Sequence, residues 1–460
     1  MSRRLWVWGL PVAVFLTFLP ALRFALVYDD HEQLVINPRL TSWSYVPGYF
    51  MTHLWAHLPE PGHYYRPVFL LWFRVIDALL GAPAPIWHLA SIVAHLAAAA
   101  AVFLMIRRMV NDLDSALLAA ALFALYPLNA EVVAWVSSGG DLLLTLFLVL
   151  CVYFYVGRRQ AISPASILFA ALAMFTKESG IVAPALIFTY EWTRSRLKDA
   201  AVNTVPYALP LILYMAFRVH ALGTPAVVAV RSMSMATMLM TWPRLLAFYA
   251  WHLLWPMHLS PCYDISLESS PLPLLLLIAL TAGALWGLRR ANANVRFGAA
   301  WFVITLIPSL AIRYTDWNDY VHDRYLYLPL VGLALIAAEG IKRIRFNISR
   351  AVVAAAVLLL LCLGIRMNIE VWRDNIALFR RAVEVAPGNH YVRNNLALAY
   401  IKAHREPEAY PLLRQSIELF PDLPDGYENM AYYYQQVGDL PEAERYYRMS
   451  VSVSQRASPR

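Results

Sequence analysis

The chain has 460 residues, of which 60% are hydrophobic and only 15% charged. Soluble domains carry about 25% charged residues, so this composition excludes an ordinary soluble protein and indicates a polytopic membrane chain. The formal net charge of +8 falls in short clusters between apolar runs. That is how cytoplasmic loops distribute charge, and it gives no support to nucleic-acid binding. Cys151, Cys262 and Cys362 show no CxxC spacing, so neither a disulfide framework nor a zinc site is indicated.

Apolar segments near 5–27, 86–106, 114–130, 141–157, 163–177, 179–193, 201–220, 271–288, 297–312, 325–341 and 350–367 read as membrane-spanning helices, about eleven in all. The first lacks an Ala-x-Ala cleavage site and is long enough to span, so it is expected to stay as an anchor. Basic clusters flank these segments: Arg3-Arg4, Arg107-Arg108, Arg158-Arg159, then Arg194, Arg196 and Lys198, Arg289-Arg290, and Lys342, Arg343 and Arg345. Placed in the cytoplasm, they make the spans alternate, with the N-terminus inside and the C-terminus outside. Residues 66–80 carry Arg74 and Asp77 and are expected to form an amphipathic helix on the outer interface. Residues 236–256, with Trp242, Tyr249, Trp251 and Trp255, suit an interfacial belt in an outer loop.

Composition changes after Arg366. From about residue 372 the chain is polar, charged and helix-forming. A 34-residue repeat relates Pro387 to Pro421, Asn395 to Asn429, Ala397 to Ala431, Tyr400 to Tyr434 and Pro407 to Pro441. That period, with small residues where helices touch, is the tetratricopeptide signature. The helix from Trp372 to Val385 is expected to cap the stack.

The unusual polar residues gather in loops assigned to the outside. Asp29 and Asp30 follow the first apolar stretch, and idle charge at the mouth of a span is costly, so function is the default hypothesis. His31 and Glu32 follow them, and His63-Tyr64-Tyr65-Arg66-Pro67 closes the same loop. Further loops hold Asn129-Ala130-Glu131, Ser137-Ser138-Gly139-Gly140-Asp141 and Thr176-Lys177-Glu178-Ser179-Gly180. The last group is Trp317-Asn318-Asp319 and His322-Asp323-Arg324-Tyr325-Leu326-Tyr327. Acids, arginines and tyrosines facing one side suit a substrate with a phosphate headgroup and a polar acceptor. Arginine gives forked phosphate contacts, and a carboxylate can take a proton from an attacking hydroxyl. His53, His57 and His63 leave a divalent metal open.

The order of Tyr28-Asp29-Asp30-His31, Asn37-Pro38, Tyr65-Arg66-Pro67, Tyr126-Pro127-Leu128-Asn129-Ala130-Glu131, Lys177-Glu178-Ser179-Gly180 and Asp323-Arg324-Tyr325-Leu326-Tyr327-Leu328-Pro329 resembles the transmembrane-and-tetratricopeptide-repeat (TMTC) proteins. The resemblance covers nearly the whole chain. These proteins belong with the GT-C membrane glycosyltransferases, which transfer sugar from a polyprenyl-phosphate donor on the outer or lumenal side; animal members are similar to protein O-mannosyltransferases. Animal members carry His-Pro-x-His-x-Glu where this chain has Tyr126 to Glu131, so both histidines are replaced and Glu131 is kept. The shorter repeat array implies a bacterial relative.

The resemblance implies an all-α fold: a GT-C-like membrane bundle over residues 1–368 and an outer-face tetratricopeptide solenoid over 369–460. It implies an inverting transfer of mannose from polyprenyl phosphate to a hydroxyl acceptor, a protein serine or threonine. Asp29 or Asp30 would be the base or orient the acceptor. Arg66 and Arg324, with Tyr65 and Tyr325, would meet the donor phosphate. His31, Glu131, Asp141, Lys177 and Glu178 are further site candidates. Tyr391, Asn395, Tyr400, Asn429 and Tyr434 are candidates for holding a polypeptide acceptor on the repeats. No organic cofactor is required, membrane lipids surround the bundle, and the location is a bacterial inner membrane, or the endoplasmic reticulum membrane in a eukaryote. The competing reading is a non-catalytic membrane-anchored scaffold whose repeats dock an outer-face partner. A transporter would place its polar residues near the midplane, and these gather at one interface.

Overall fold

A computed structural model describes residues 3–58, 62–81, 83–158, 162–223, 233–268, 270–312, 320–344 and 348–457. Trp317, Asn318 and Asp319 lie outside the described residues, as do Arg159 and Arg345. Every regular element described is helical. Among the described residues, six segments are long and apolar enough to cross a membrane: Ala84–Val110, Val136–Val156, Leu197–Leu222, Ala293–Leu310, Asp323–Lys342 and Ala351–Trp372. Shorter apolar helices cover Gly9–Arg23, Leu113–Ala124, Pro164–Thr176 and Leu272–Leu288.

Local chemistry explains several departures from the expected spans. The segment expected at 114–130 stops as a helix at Ala124, because Pro127 cannot donate and the residue before it avoids helical angles. Asn129 then folds back, and its Nδ2 donates to Phe123 O at 2.6 Å, satisfying a carbonyl left open by the helix end. The helix Ala183–Trp192 has 10 residues, about 15 Å, and is too short to cross alone. Helix Pro67–Leu80 forms where an interfacial helix was expected, but protein covers its apolar face. Phe69, Leu70 and Phe73 pack with Leu34, Leu40, Tyr49, Leu54 and Trp87. Even Arg74 is buried, and its Nη1 donates to Leu40 O at 2.8 Å.

The chain folds as two compact units: residues 1–259, 267–315 and 323–369, and residues 260–266, 316–322 and 370–460. In the first unit, helices Ala293–Leu306 and Tyr327–Lys342 meet at paired glycines. A Cβ on Gly332 would lie 2.3 Å from Gly298 O, so only glycine permits this approach.

The two ends of this unit differ in charge. Lys342 Nζ donates to Val110 O at 2.7 Å, Asn294 Nδ2 to Met109 O at 3.1 Å, and Arg296 Nη2 to Thr193 O at 2.9 Å. Arg158 Nη2 reaches Glu191 Oε1 at 2.8 Å. Arg107, Arg108 and Arg194 belong to the same end. At the opposite ends of helices Gly139–Val156 and Tyr327–Lys342 stand Asp141, in the first turn of one, and Arg324, in the 3-10 turn that leads into the other. Gly139–Val156 has 18 residues, so about 27 Å separates the basic end from the acidic motifs.

The second unit contains helices Asn375–Val385, His390–Lys402, Glu406–Leu419, Pro424–Val437 and Leu440–Ala457. Ala397 and Ala409 are fully buried, as expected for small residues where repeat helices touch. The segment 260–266 belongs to this unit, and its Asp264 Oδ2 accepts from Gly388 N–H at 3.1 Å.

Candidate active site

The acidic motif follows an abrupt change of backbone. The first helix continues as a 3-10 turn to Arg23 and then runs extended. Tyr28 has φ +56°, a left-handed conformation that costs a bulky residue about 1–3 kcal/mol and persists only when its surroundings enforce it. Two restraints are visible. The Tyr28 ring lies 5.5 Å from the Trp135 ring. Asp30 is completely buried; its Oδ1 accepts from Ser137 N–H at 2.7 Å and Ser137 Oγ–H at 2.6 Å, and its Oδ2 accepts from Val27 N–H at 3.1 Å. Asp29 is only half-buried. His31 is exposed at the start of the next turn and joins no ion pair among the described residues.

Burial pushes the Asp30 carboxyl up to about 7, against hydrogen bonds from Ser137 and Val27 that favour its charged form. The fold therefore holds a proton there between about pH 4 and 7 that the unfolded chain has released. This contribution to stability is complete below about pH 4 and fades as pH rises through 7, amounting to up to about 4 kcal/mol. The thermal midpoint in detergent is expected to fall over that window, and Asp30→Asn is expected to flatten the fall. Identical pH dependence in both proteins would contradict the assignment.

Three cations stand nearby, each paired. Arg66 Nε donates to Glu178 Oε2 at 2.9 Å, and its guanidinium lies 4.6 Å from the Tyr64 ring centroid. Lys177 Nζ donates to both Asp141 oxygens at 2.6 and 2.7 Å. Arg324 Nη1 donates to Glu131 Oε1 at 2.6 Å, and its backbone N–H to Oε2 at 3.0 Å. The cations sense one another. Burial, then Arg66 and Arg324, push the Lys177 ammonium below its ordinary pKa, while Asp141 opposes them. Glu178 is held below the usual carboxylate range: burial works to raise it, but Arg66 and Arg218 outweigh that. The Lys177-Glu178-Ser179-Gly180 spacing has a steric reason. A Cβ on Gly180 would sit 2.4 Å from the Ala173 backbone, so glycine lets this turn fold back on helix Pro164–Thr176.

Some expected residues have other duties. Tyr65 is completely buried and its hydroxyl donates to Phe50 O at 3.0 Å, so it is not presented to a phosphate; its backbone N–H instead supports Glu178 at 2.9 Å. Tyr325 is half-buried beside Arg324, 5.0 Å from ring centroid to guanidinium. Tyr327 is core: its hydroxyl meets His95 Nδ1 at 2.7 Å. On the repeats, Tyr400 is buried and its hydroxyl accepts from Arg380 Nη2 at 3.1 Å, so packing claims it rather than an acceptor. Asn395 turns to its own helix, donating to Tyr391 O at 2.9 Å. Asn429 is half-buried, and Tyr434 stacks on Tyr446 at 5.5 Å.

Sequence reading missed Arg218, which lies 3.8 Å from Glu178. An arginine inside an apolar helix was the available signal. It also gave no duty to Trp135, whose ring lies 4.9 Å from the Arg324 guanidinium. Among the described residues, no three His, Cys, Asp or Glu side chains converge as a metal site.

Residues 426–459 match a tetratricopeptide repeat family. The chain is similar to Protein O-mannosyl-transferase TMTC1 of Homo sapiens, 24% identical, with 87% of this chain and 53% of that protein aligned. It is similar to Protein O-mannosyl-transferase TMTC3 of Mus musculus, 24% identical over 94% of this chain and 53% of that protein. Protein O-mannosyl-transferase TMTC4 of Homo sapiens is 26% identical over 80% and 60%. The chain is a relative of the TMTC proteins. It spans about half the length of the first two of these curated relatives. Among solved structures, the crystal structure of ArnT from Cupriavidus metallidurans bound to undecaprenyl phosphate matches with 16% identity and a TM-score of 0.40, covering 99% of this chain and 79% of that one. That likeness is too loose to place any residue of this TMTC relative.

Proposed function

We propose that the chain is a GT-C membrane glycosyltransferase that moves mannose from a polyprenyl-phosphate donor to a hydroxyl acceptor, a protein serine or threonine, on the outer or lumenal face. One observation carries the reading: the Asp29–Asp30 motif and the cations Arg66, Lys177 and Arg324 are tied to one end of a bundle whose other end is basic. By the positive-inside rule the basic end is cytoplasmic, and the opposite end, where these cations are paired with carboxylates, faces out. Relatedness to proteins named O-mannosyl-transferases supports the same chemistry.

In this reading Asp29 takes the proton of the acceptor hydroxyl. The acceptor oxygen attacks the sugar C1 from the side opposite the phosphate, and the C1–O bond to phosphate breaks with its electron pair going to the departing polyprenyl phosphate. The configuration at C1 inverts. Arg66, Lys177 and Arg324 offset the charge growing on that phosphate, an effect worth several kcal/mol when donors are held in place. Among the described residues no protein acceptor takes the Arg66 η nitrogens, which leaves their fork for phosphate. The repeats present the acceptor through Tyr391 and Asn429 in the same outer compartment.

One observation favours a non-catalytic scaffold instead: every one of these cations already has a carboxylate partner. Purified protein supplied with radiolabelled polyprenyl-phosphate mannose and a serine/threonine-rich peptide separates the two. Labelled peptide and free polyprenyl phosphate are expected. Peptide binding with no turnover of the donor would leave only the scaffold. A reporter enzyme fused after Ala457 is expected to be active outside the cytoplasm; cytoplasmic activity would remove the repeats from the compartment of the site.

A further inference from the structure

The turn Trp135-Val136-Ser137-Ser138 enters helix Gly139–Val156, and its side chains reach three different charged groups. Ser137 gives both its N–H and its hydroxyl to one oxygen of Asp30, at 2.7 and 2.6 Å. The Trp135 ring lies between Tyr28, at 5.5 Å, and the Arg324 guanidinium, at 4.9 Å. Ser138 Oγ is 3.4 Å from Asp141 Oδ2, the carboxylate that holds Lys177. All four residues of the turn are buried. Both chain neighbours of Asp29 are anchored on this turn: Tyr28 through Trp135 and Asp30 through Ser137.

We propose that this turn is the positioning element of the site, and that Ser137, acting through Asp30, sets where Asp29 stands relative to the cations. The inference rests on the glycosyltransferase reading above. Its physical basis is the left-handed Tyr28. A strained residue keeps its conformation only under outside restraint, and Asp30 supplies the restraint on the side facing Asp29. A buried carboxylate is a costly way to pin a loop. Two donors on one of its oxygens define its direction closely, which a merely space-filling residue would not do. Asp29 is then the catalytic residue, while Asp30 and Ser137 are positioning residues.

The test uses the full chain in detergent, with polyprenyl-phosphate mannose as donor and a serine/threonine-rich peptide as acceptor. Ser137→Ala is expected to lower kcat about 30-fold, the scale of a displacement near 1 Å at a reacting group. KM for the donor should stay within about twofold, because the phosphate contacts are untouched. Protonation of Asp30 loosens its hold on Asp29, so the acidic limb of the kcat profile should move to higher pH when Asp30 loses a donor that favours its charged form. Ser137→Thr, which keeps the hydroxyl, should recover most of the rate. Wild-type kcat with an unmoved profile in Ser137→Ala would overturn the proposal, as would a raised KM with kcat intact. Should Ser137→Ala not accumulate as folded protein, Ser137→Cys against Ser137→Thr carries the same test, since a thiol is a weaker donor; equal rates in the two would overturn it. Full activity in Asp29→Asn would instead overturn the glycosyltransferase assignment of Asp29. A dead Asp29→Asn beside a normal Ser137→Ala would overturn the positioning role alone.

Discussion

Asp29→Asn is expected to lower sugar transfer by about 100-fold or more, the scale of a lost general base, while the protein still inserts and keeps its thermal midpoint. Asp29 is half-buried, so an isosteric amide there removes basicity without opening a cavity. Asp30→Asn should behave differently. Its new amide nitrogen would meet either the Val27 N–H or the two Ser137 donors now bonded to the carboxylate. A donor facing a donor in a fully buried position leaves hydrogen bonds unmade, at about 1–3 kcal/mol. Asp30→Asn should therefore disturb stability, and lower kcat as Tyr28 and Asp29 relax. Circular dichroism melts beside single-turnover rates separate the two effects. If Asp29→Asn is fully active and Asp30→Asn is dead but as stable as wild type, the roles given to the two carboxylates are reversed.

Lys177→Met is expected to be the most damaging single change among the cations. It leaves Asp141, 9% exposed, without the ammonium that reaches both its oxygens. Removing one partner of a buried ion pair costs about 3–5 kcal/mol, because the other charge stays buried and unpaired. Stability and turnover should fall together, which alone would not separate structure from catalysis. The double variant Lys177→Met with Asp141→Leu does separate them. Replacing both charges by apolar side chains is often neutral for stability, so the melt should recover. Turnover of polyprenyl-phosphate mannose should not recover, since one of the cations near the leaving phosphate is gone. Wild-type turnover in a stable double variant would make the pair purely structural and shift the phosphate site toward Arg66 and Arg324.

What could be read from the chain alone rested on composition and period. An apolar, charge-poor sequence must bury its backbone in helices to cross a bilayer, and the helical elements follow from that. A 34-residue recurrence of small and aromatic residues requires stacked helix pairs, and residues 426–459 match that repeat family. The motifs that carry the likeness to TMTC proteins were legible because each is contiguous. Partnerships were not. Arg66 meets Glu178 across 112 positions, Arg324 meets Glu131 across 193, and Ser137 meets Asp30 across 107. No local pattern encodes such a pairing, because helix packing decides which loop ends arrive side by side. Neighbouring tyrosines were equally opaque: Tyr64 is exposed and Tyr65 buried, Tyr325 faces the cations and Tyr327 faces His95. Residue type and spacing nominate a polar group for a site, whereas the direction in which its turn enters the next helix decides whether that group meets substrate, a partner charge or the core.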